Sequence, residues 1–255
     1  MNLNAGQVAD VAARALAALD LTSLGEEDSP SRIEALCASA AGPGGLPAAV
    51  CVYPEHIGTA RRALAAARAT GVKVATVVNF PDGGEDEARV ARETRRAVAA
   101  GADEVDMVLP WKAFLAGDVE SARRAVVAGR EAATGCVLKV ILESGALANA
   151  DIIRAASELA LEAGADFIKT STGKVAVGAT PAAARVMLEV IRDRGGQAGF
   201  KASGGVRTLA DAATYLGLAD AIQGEGWTDD PRHFRIGASG LLTEIRRVLG
   251  GGRAT

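Results

Sequence analysis

The chain has 255 residues, 49% hydrophobic content and a formal net charge of −3 at pH 7. That length suits one α/β barrel or two smaller domains, and the small, mixed charge makes no electrostatic case for nucleic acid or a membrane surface. There is no apolar run of about 18 residues to span a bilayer, and no basic cluster ahead of an apolar stretch near the start to act as a secretory leader.

In chain order, a helical segment at about residues 5–18 precedes short β-rich runs that alternate with alanine-rich helical runs. The predicted strands are Leu19–Thr22, Ala49–Tyr53, Lys73–Phe80, Glu104–Leu109, Val137–Glu143, Phe167–Thr172, Gly199–Gly204 and Arg235–Ser239. Their starts recur roughly every 30 residues, the length of a strand–helix–strand crossover. After the fifth strand, Asn149 or Asp151 suits a helix cap, and Ile152, Ala156, Leu159, Ala160 and Ala163 share one helical face. After the sixth, Pro181 suits a first turn, followed by an apolar stripe of Val186, Met187, Val190 and Ile191. Gly101, Gly164 and Gly195 fall at helix ends, where a left-handed residue is needed. The repeated Ala-Gly-Ala-Asp at Ala100–Asp103 and Ala163–Asp166 marks two equivalent helix-to-strand turns. Eight strands alternating with helices over this length imply a single-domain α/β fold, a TIM (β/α)8 barrel. The runner-up, a doubly wound open sheet, lacks the G-x-G-x-x-G turn after its first strand. The last residues, Gly250–Thr255, read as a mobile tail. Cys37, Cys51 and Cys136 are widely spaced and match neither a zinc pattern nor a disulfide framework, so a reducing cytoplasm is expected. With only His56 and His233 present, a histidine-based metal site is not expected.

The strands carry charges where a barrel interior should be apolar. Side chains alternate along a strand, so one parity faces inward. One choice of parity gathers Lys169 with Phe167 and Ser171, Lys201 with Ser203, Asp106, Lys139 with Glu143, and Asp20 with Thr22. Removing an ammonium from water costs several kcal/mol unless it is paired or neutralised. An inert buried ion-pair network is one reading; a functional cluster is the other, because such groups concentrate at active sites.

A lysine amine attacks a carbonyl only when unprotonated, and its ordinary pKa of about 10.4 makes that form rare at pH 7. A neighbouring ammonium lowers that pKa. Lys169 and Lys201, on consecutive strands, fit this logic for a Schiff base, and Asp106 is the available carboxylate for proton transfer. No metal or other cofactor is required, because a protonated imine is itself an electron sink. Barrels commonly bind phosphate with the loops after the seventh and eighth strands. Here those loops are Ser203-Gly204-Gly205-Val206-Arg207 and Gly237-Ala238-Ser239-Gly240, the second leading into a helical run; Thr172-Gly173-Lys174 adds a possible third contact.

The segments FIKTSTGK, FKASGGVRT, DEVDMVLPW, LKVILES, CVYP and FRIGASGLL, in order over about Leu19–Leu249, resemble the deoxyribose-phosphate aldolase family. The resemblance implies a class I aldolase that joins acetaldehyde to D-glyceraldehyde 3-phosphate, reversibly, giving 2-deoxy-D-ribose 5-phosphate. It implies Lys169 as the Schiff-base lysine, Lys201 as the group that depresses its pKa, and Asp106 in proton transfer with Lys201 and a water. By the same resemblance Asp20, Thr22, Cys51, Lys139 and Thr170 line the substrate pocket or its charged network. Gly173, Lys174, Gly204, Gly205, Gly237 and Ser239 hold the phosphate. Small aldehyde and sugar-phosphate substrates, a homodimer, no nucleic acid and no membrane are the partner expectations. Ala202-Ser203 stands where the family often has Pro-Ala, Gly240 where a second serine is common, and the chain ends without the tyrosine some members carry. Three other readings stay open: a Schiff-base aldolase with another donor, a phosphate-binding barrel isomerase or decarboxylase without an imine, and a non-catalytic sugar-phosphate binder.

Overall fold

The structure, a computed structural model, describes residues 4–251. Eight parallel strands form a closed barrel in sequence order, with β8 pairing back onto β1. The strands are β1 (Leu19–Thr22), β2 (Ala49–Val52), β3 (Lys73–Val78), β4 (Glu104–Val108), β5 (Val137–Ile141), β6 (Phe167–Lys169), β7 (Gly199–Ser203) and β8 (Phe234–Ala238). The helices are α1 (Ala5–Ala17), α2 (Pro30–Ala40), α3 (Ile57–Ala66), α4 (Glu87–Ala99), α5 (Trp111–Leu115), α6 (Val119–Ala132), α7 (Ser144–Leu147), α8 (Ala150–Glu162), α9 (Pro181–Asp193), α10 (Leu209–Gln223) and α11 (Leu241–Leu249). This is the expected TIM (β/α)8 barrel, with α1 preceding the first strand. Of the expected tail, Gly252–Thr255 lie outside the described residues. Among the described residues no helix is long and apolar enough to cross a membrane.

Local chemistry sets the helix starts. Asn149 is the cap of α8 and accepts from the Asp151 and Ile152 amides, so the cap is Asn149 and not Asp151. Pro181 occupies the first turn of α9, with Thr180 capping Ala183. Gly101, Gly164 and Gly195 do adopt positive φ (97°, 98° and 93°) after α4, α8 and α9. The buried face of α8 runs through Ile153, Ala156, Ser157, Leu159 and Ala160, leaving Ile152 half-buried, one residue off the expected stripe.

The predicted strands begin where the observed ones do, within a residue, and β1 also ends as expected, but the other seven overshoot at their C-terminal ends. Asn79, Glu143 and Gly204 all have positive φ (52°, 57° and 85°). The chain turns out of the ladder at these points and enters the loops of the C-terminal face, where barrel active sites sit. The main apolar core lies between the outward strand faces and the helix ring, with residues such as Val105, Val140, Ile168, Met187 and Leu188 fully buried.

Candidate active site

Strand register places the charges side by side. Asp106 on β4 is level with Lys139 on β5, Lys169 on β6 with Lys201 on β7, and Lys201 with Arg235 on β8. All are buried inside the barrel, together with Asp20 and Glu104. Asp106 is the hub: its Oδ2 accepts from Lys169 Nζ and from Lys201 Nζ, each at 2.7 Å, and its Oδ1 accepts from Lys139 Nζ at 2.9 Å. Lys201 also bonds Asp20. Below this layer, Lys139 Nζ donates to Glu104 Oε2 at 2.5 Å, and Arg235 bridges Glu104 Oε1 at 2.7 Å and Asp20 Oδ1 at 2.6 Å.

The charge count favours one uncharged base among the four. Three carboxylates (Asp20, Glu104 and Asp106) face four basic groups (Lys139, Lys169, Lys201 and Arg235). With Lys169 uncharged the layer balances, and an excess buried charge is the costliest arrangement. The shifts agree. Burial, reinforced by the Lys201 cation, pushes Lys169 below the usual lysine range despite Asp106. Burial also works against charge on Lys201, but Asp106 and Asp20 outweigh it and hold Lys201 well above that range. Lys139 is raised, because Asp106, Glu104 and Asp20 overcome its burial. Asp106 and Asp20 are held below the carboxylate range, the surrounding cations outweighing burial in each case. Lys169 is thus the lysine that gives up its proton more readily, and one carboxylate oxygen joins it to Lys201, whose ammonium is held by two carboxylates.

Glu104 and Arg235 belong to this cluster and were not among the expected site residues. Parity from Asp106 points to Glu104, two residues away on the same face. Arg235 opens the predicted eighth strand, on the face of Gly237 and Ser239, and that parity is the signal that could have found it; the observed strand starts one residue earlier and carries it inside. Glu143 departs from its expected face. Its carboxylate leaves Lys139 and accepts from the Thr172 amide and hydroxyl.

The other expected residues divide by place. Cys51 lies buried on β2, its thiol pushed up by burial and then by Asp106. Thr22, at the end of β1, is half-buried and donates to the Asp20 carbonyl at 2.8 Å. The Thr170 hydroxyl is engaged with β7, donating to the Ser203 carbonyl and accepting from the Ser203 amide, both at 2.9 Å. Gly173, Lys174, Gly204, Gly205 and Ser239 sit on the loops that follow β6, β7 and β8. Gly173, Gly204 and Gly205 have positive φ (77°, 85° and 92°), and Lys174 Nζ reaches the Leu24 carbonyl at 2.6 Å. Gly237 is different. It lies within β8, and a Cβ there would stand 3.0 Å from Lys201 Cε and 2.9 Å from Ser203 Oγ. Its missing side chain is room for Lys201.

A cavity of about 1090 Å³ opens at the opposite end of the barrel among the strand starts, with Glu104 and Arg235 in its lining. The polar atoms of both are already paired, with one another, with the rest of the cluster and, for Arg235 Nε, with the Pro231 carbonyl. Lys169 is at the other end, on the last residue of β6, toward the C-terminal face where barrel active sites sit.

Residues 14–241 match the DeoC/LacD family of aldolases. A crystal structure from Coccidioides immitis, provisionally named a deoxyribose-phosphate aldolase, is 32% identical with a TM-score of 0.79, over 92% of this chain and 87% of that one. One from Toxoplasma gondii ME49, with the same provisional name, is 26% identical with a TM-score of 0.88, over 99% of both chains. A tetrameric deoxyribose phosphate aldolase from Aeropyrum pernix is 26% identical with a TM-score of 0.74, over 96% of this chain and 93% of that one. With a barrel, a paired-lysine interior and a family match that takes in all eight strands and every helix from α2 to α10, the chain belongs to the DeoC/LacD aldolases.

Proposed function

We propose that the chain is a class I aldolase that reversibly cleaves 2-deoxy-D-ribose 5-phosphate to D-glyceraldehyde 3-phosphate and acetaldehyde. The observation that carries this reading is the buried Lys169 amine, 2.7 Å from the Asp106 oxygen that also binds the Lys201 ammonium. Neutral Lys169 attacks the C1 carbonyl carbon of the open-chain sugar, and loss of water leaves an iminium. The C2–C3 bond then breaks. Its electron pair enters the iminium to give an enamine, while the C3 hydroxyl loses its proton and becomes the aldehyde of the departing glyceraldehyde phosphate. The enamine takes a proton at C2, and water hydrolyses the resulting iminium to acetaldehyde and free Lys169. Asp106, with Lys201 and a water, passes these protons. Its depressed basicity makes it a relay and not a resting place for the proton. Asp20, Lys139, Glu104 and Arg235 hold the relay in place. Gly173, Lys174, Gly204, Gly205 and Ser239 form the phosphate cradle; phosphate suits backbone amides freed by glycine turns and a nearby helix start.

The test is direct. The protein is incubated with acetaldehyde, reduced with borohydride and mapped by mass spectrometry. An ethyl group on Lys169, absent from the Lys169→Leu variant, is the expected result; folded wild-type protein without an adduct sinks the imine mechanism. For the cradle, 2-deoxyribose without its phosphate should be cleaved far less efficiently than the 5-phosphate, and equal efficiency would contradict the assignment.

A further inference from the structure

Glu143 stands apart from the charge cluster and has no role in the chemistry above. It is fully buried and takes a left-handed conformation, φ 57° and ψ 52°, uncommon for a residue with a Cβ. No Lys or Arg among the described residues pairs with it. A buried carboxylate without a cationic partner is expensive, and so is the left-handed backbone, so something holds both in place. What the carboxylate touches is a single residue. Oε1 accepts from the Thr172 amide at 3.2 Å, and Oε2 accepts from the Thr172 hydroxyl at 2.5 Å. Thr172 Oγ1 in turn accepts from the Lys174 amide at 3.0 Å. The adjoining backbone repeats the tie, with the Ser144 amide donating to the Thr170 carbonyl at 2.8 Å.

The segment held this way is the loop that leaves β6 directly after Lys169. It carries Gly173, which packs against the loop after β7: a Cβ on Gly204 would lie 3.5 Å from Gly173 Cα. One carboxylate therefore fixes the backbone and the side chain at the base of the turn that presents Gly173 and Lys174. We propose that Glu143 is a positioning residue for phosphate recognition, acting through Thr172 on the Gly173–Lys174 turn. This rests on the aldolase reading above and adds to it a residue that touches neither the reacting carbons nor the phosphate. Glutamine has nearly the same shape but carries no charge and replaces one accepting oxygen with a donor, so the Thr172 amide keeps its acceptor only if the hydroxyl turns from donor to acceptor, and the charged hydrogen bond is lost.

The experiment compares Glu143→Gln with wild type in three measurements. KM for 2-deoxyribose 5-phosphate should rise about tenfold, the scale of a lost charged hydrogen bond, with kcat within about twofold. The efficiency on unphosphorylated 2-deoxyribose should stay within about twofold. Inorganic phosphate, titrated in the absence of turnover, should bind the variant about tenfold more weakly. Thr172→Val should reproduce the KM effect, and the double variant should show no further loss, since both changes break one connection. Equal losses on both substrates would place Glu143 in the chemistry of Lys169 and overturn the proposal. So would an unchanged KM, or inorganic phosphate binding that is absent from wild type or alike in wild type and variant. Borohydride trapping at Lys169 reports on the aldolase reading separately: its failure in wild type, with the phosphate difference intact, would remove the reaction and leave the brace.

Discussion

At the level of single residues, the two active-site lysines are the same side chain in two environments. Lys169 meets one carboxylate, shared with two other lysines, while Lys201 meets two. That difference is enough to separate an amine from an ammonium. Replacing Lys201 by leucine removes the cation beside Lys169, so the Lys169 amine should hold its proton to higher pH. The rate of borohydride trapping with acetaldehyde should then shift its pH profile upward; an unchanged profile would show that Lys201 does not set the amine's protonation. Lys169→Leu should also have a thermal cost of the opposite sign from an ordinary core truncation. The folded pKa of Lys169 is below its unfolded value of about 10.4, so at neutral pH the unfolded chain holds this proton more firmly. Removing the group removes that penalty, and Asp106 keeps Lys139 and Lys201. The variant should melt at or above the wild-type temperature, as expected where function is maintained against stability. A melting point several degrees lower in calorimetry would mean that Lys169 is instead a net structural cation. Both lysines were legible in the sequence as burial anomalies. Which of them is the amine came only from the family resemblance, because the difference depends on Asp20 and Asp106 arriving from distant strands.

At the level of elements, strand starts were legible and strand ends were not. β5 was read through Glu143 and β6 through Thr172, yet the ladders stop at Ile141 and Lys169. The residues beyond them are as buried as those before, so pattern alone continues the strand; past β5 the backbone turns left-handed at Glu143, whose carboxylate accepts from the Thr172 amide beyond β6. Parity had the same strength and limit. It gathered Asp20, Asp106, Lys139, Lys169 and Lys201 correctly on one face, because register is firmly set where a face is buried. It failed for Glu143, which lies past the end of the alternation; Gly237, assigned to the phosphate by the family resemblance, is placed by the register opposite Ser203, inside the barrel. Gly237→Ala discriminates between these roles. A Cβ would press on Lys201 Cε and Ser203 Oγ, so kcat should fall by about tenfold to a hundredfold, as for a displaced catalytic group, with little change in KM. A rise in KM for the phosphorylated substrate with kcat intact would return Gly237 to the cradle.

For the whole molecule, the barrel interior is the unusual part. Elsewhere such interiors are filled by layers of branched apolar side chains. Here a closed ring of strands surrounds a layer of seven ionisable groups, which ties β1, β4, β5, β6, β7 and β8 together through charge. The closure of β8 onto β1 is part of that arrangement, since Arg235 and Lys201 both hold Asp20 beside the seam. Stability should therefore depend on pH through two carboxylates in particular. Asp20 and Asp106 have folded pKa values below their unfolded value of about 3.9, because nearby cations outweigh burial. In the interval between folded and unfolded values the unfolded chain binds more protons, so stability rises with pH there. The contribution is complete above the unfolded value and is lost as pH falls through the folded ones. Protonating both carboxylates leaves the barrel's cations facing one another in a space closed to water. Urea unfolding should show a midpoint that is steady from neutral pH down to about pH 5 and then falls steeply below about pH 4. Asp20→Asn should be less stable than wild type at neutral pH, since it strands part of the charge on Lys201 and Arg235. Its midpoint should also fall less steeply on acidification, because one of the two protons that open the barrel has nowhere to bind. If the wild-type and Asp20→Asn curves instead run parallel from pH 7 to pH 3, acid unfolding starts at the surface carboxylates, and the interior layer does not hold the barrel closed.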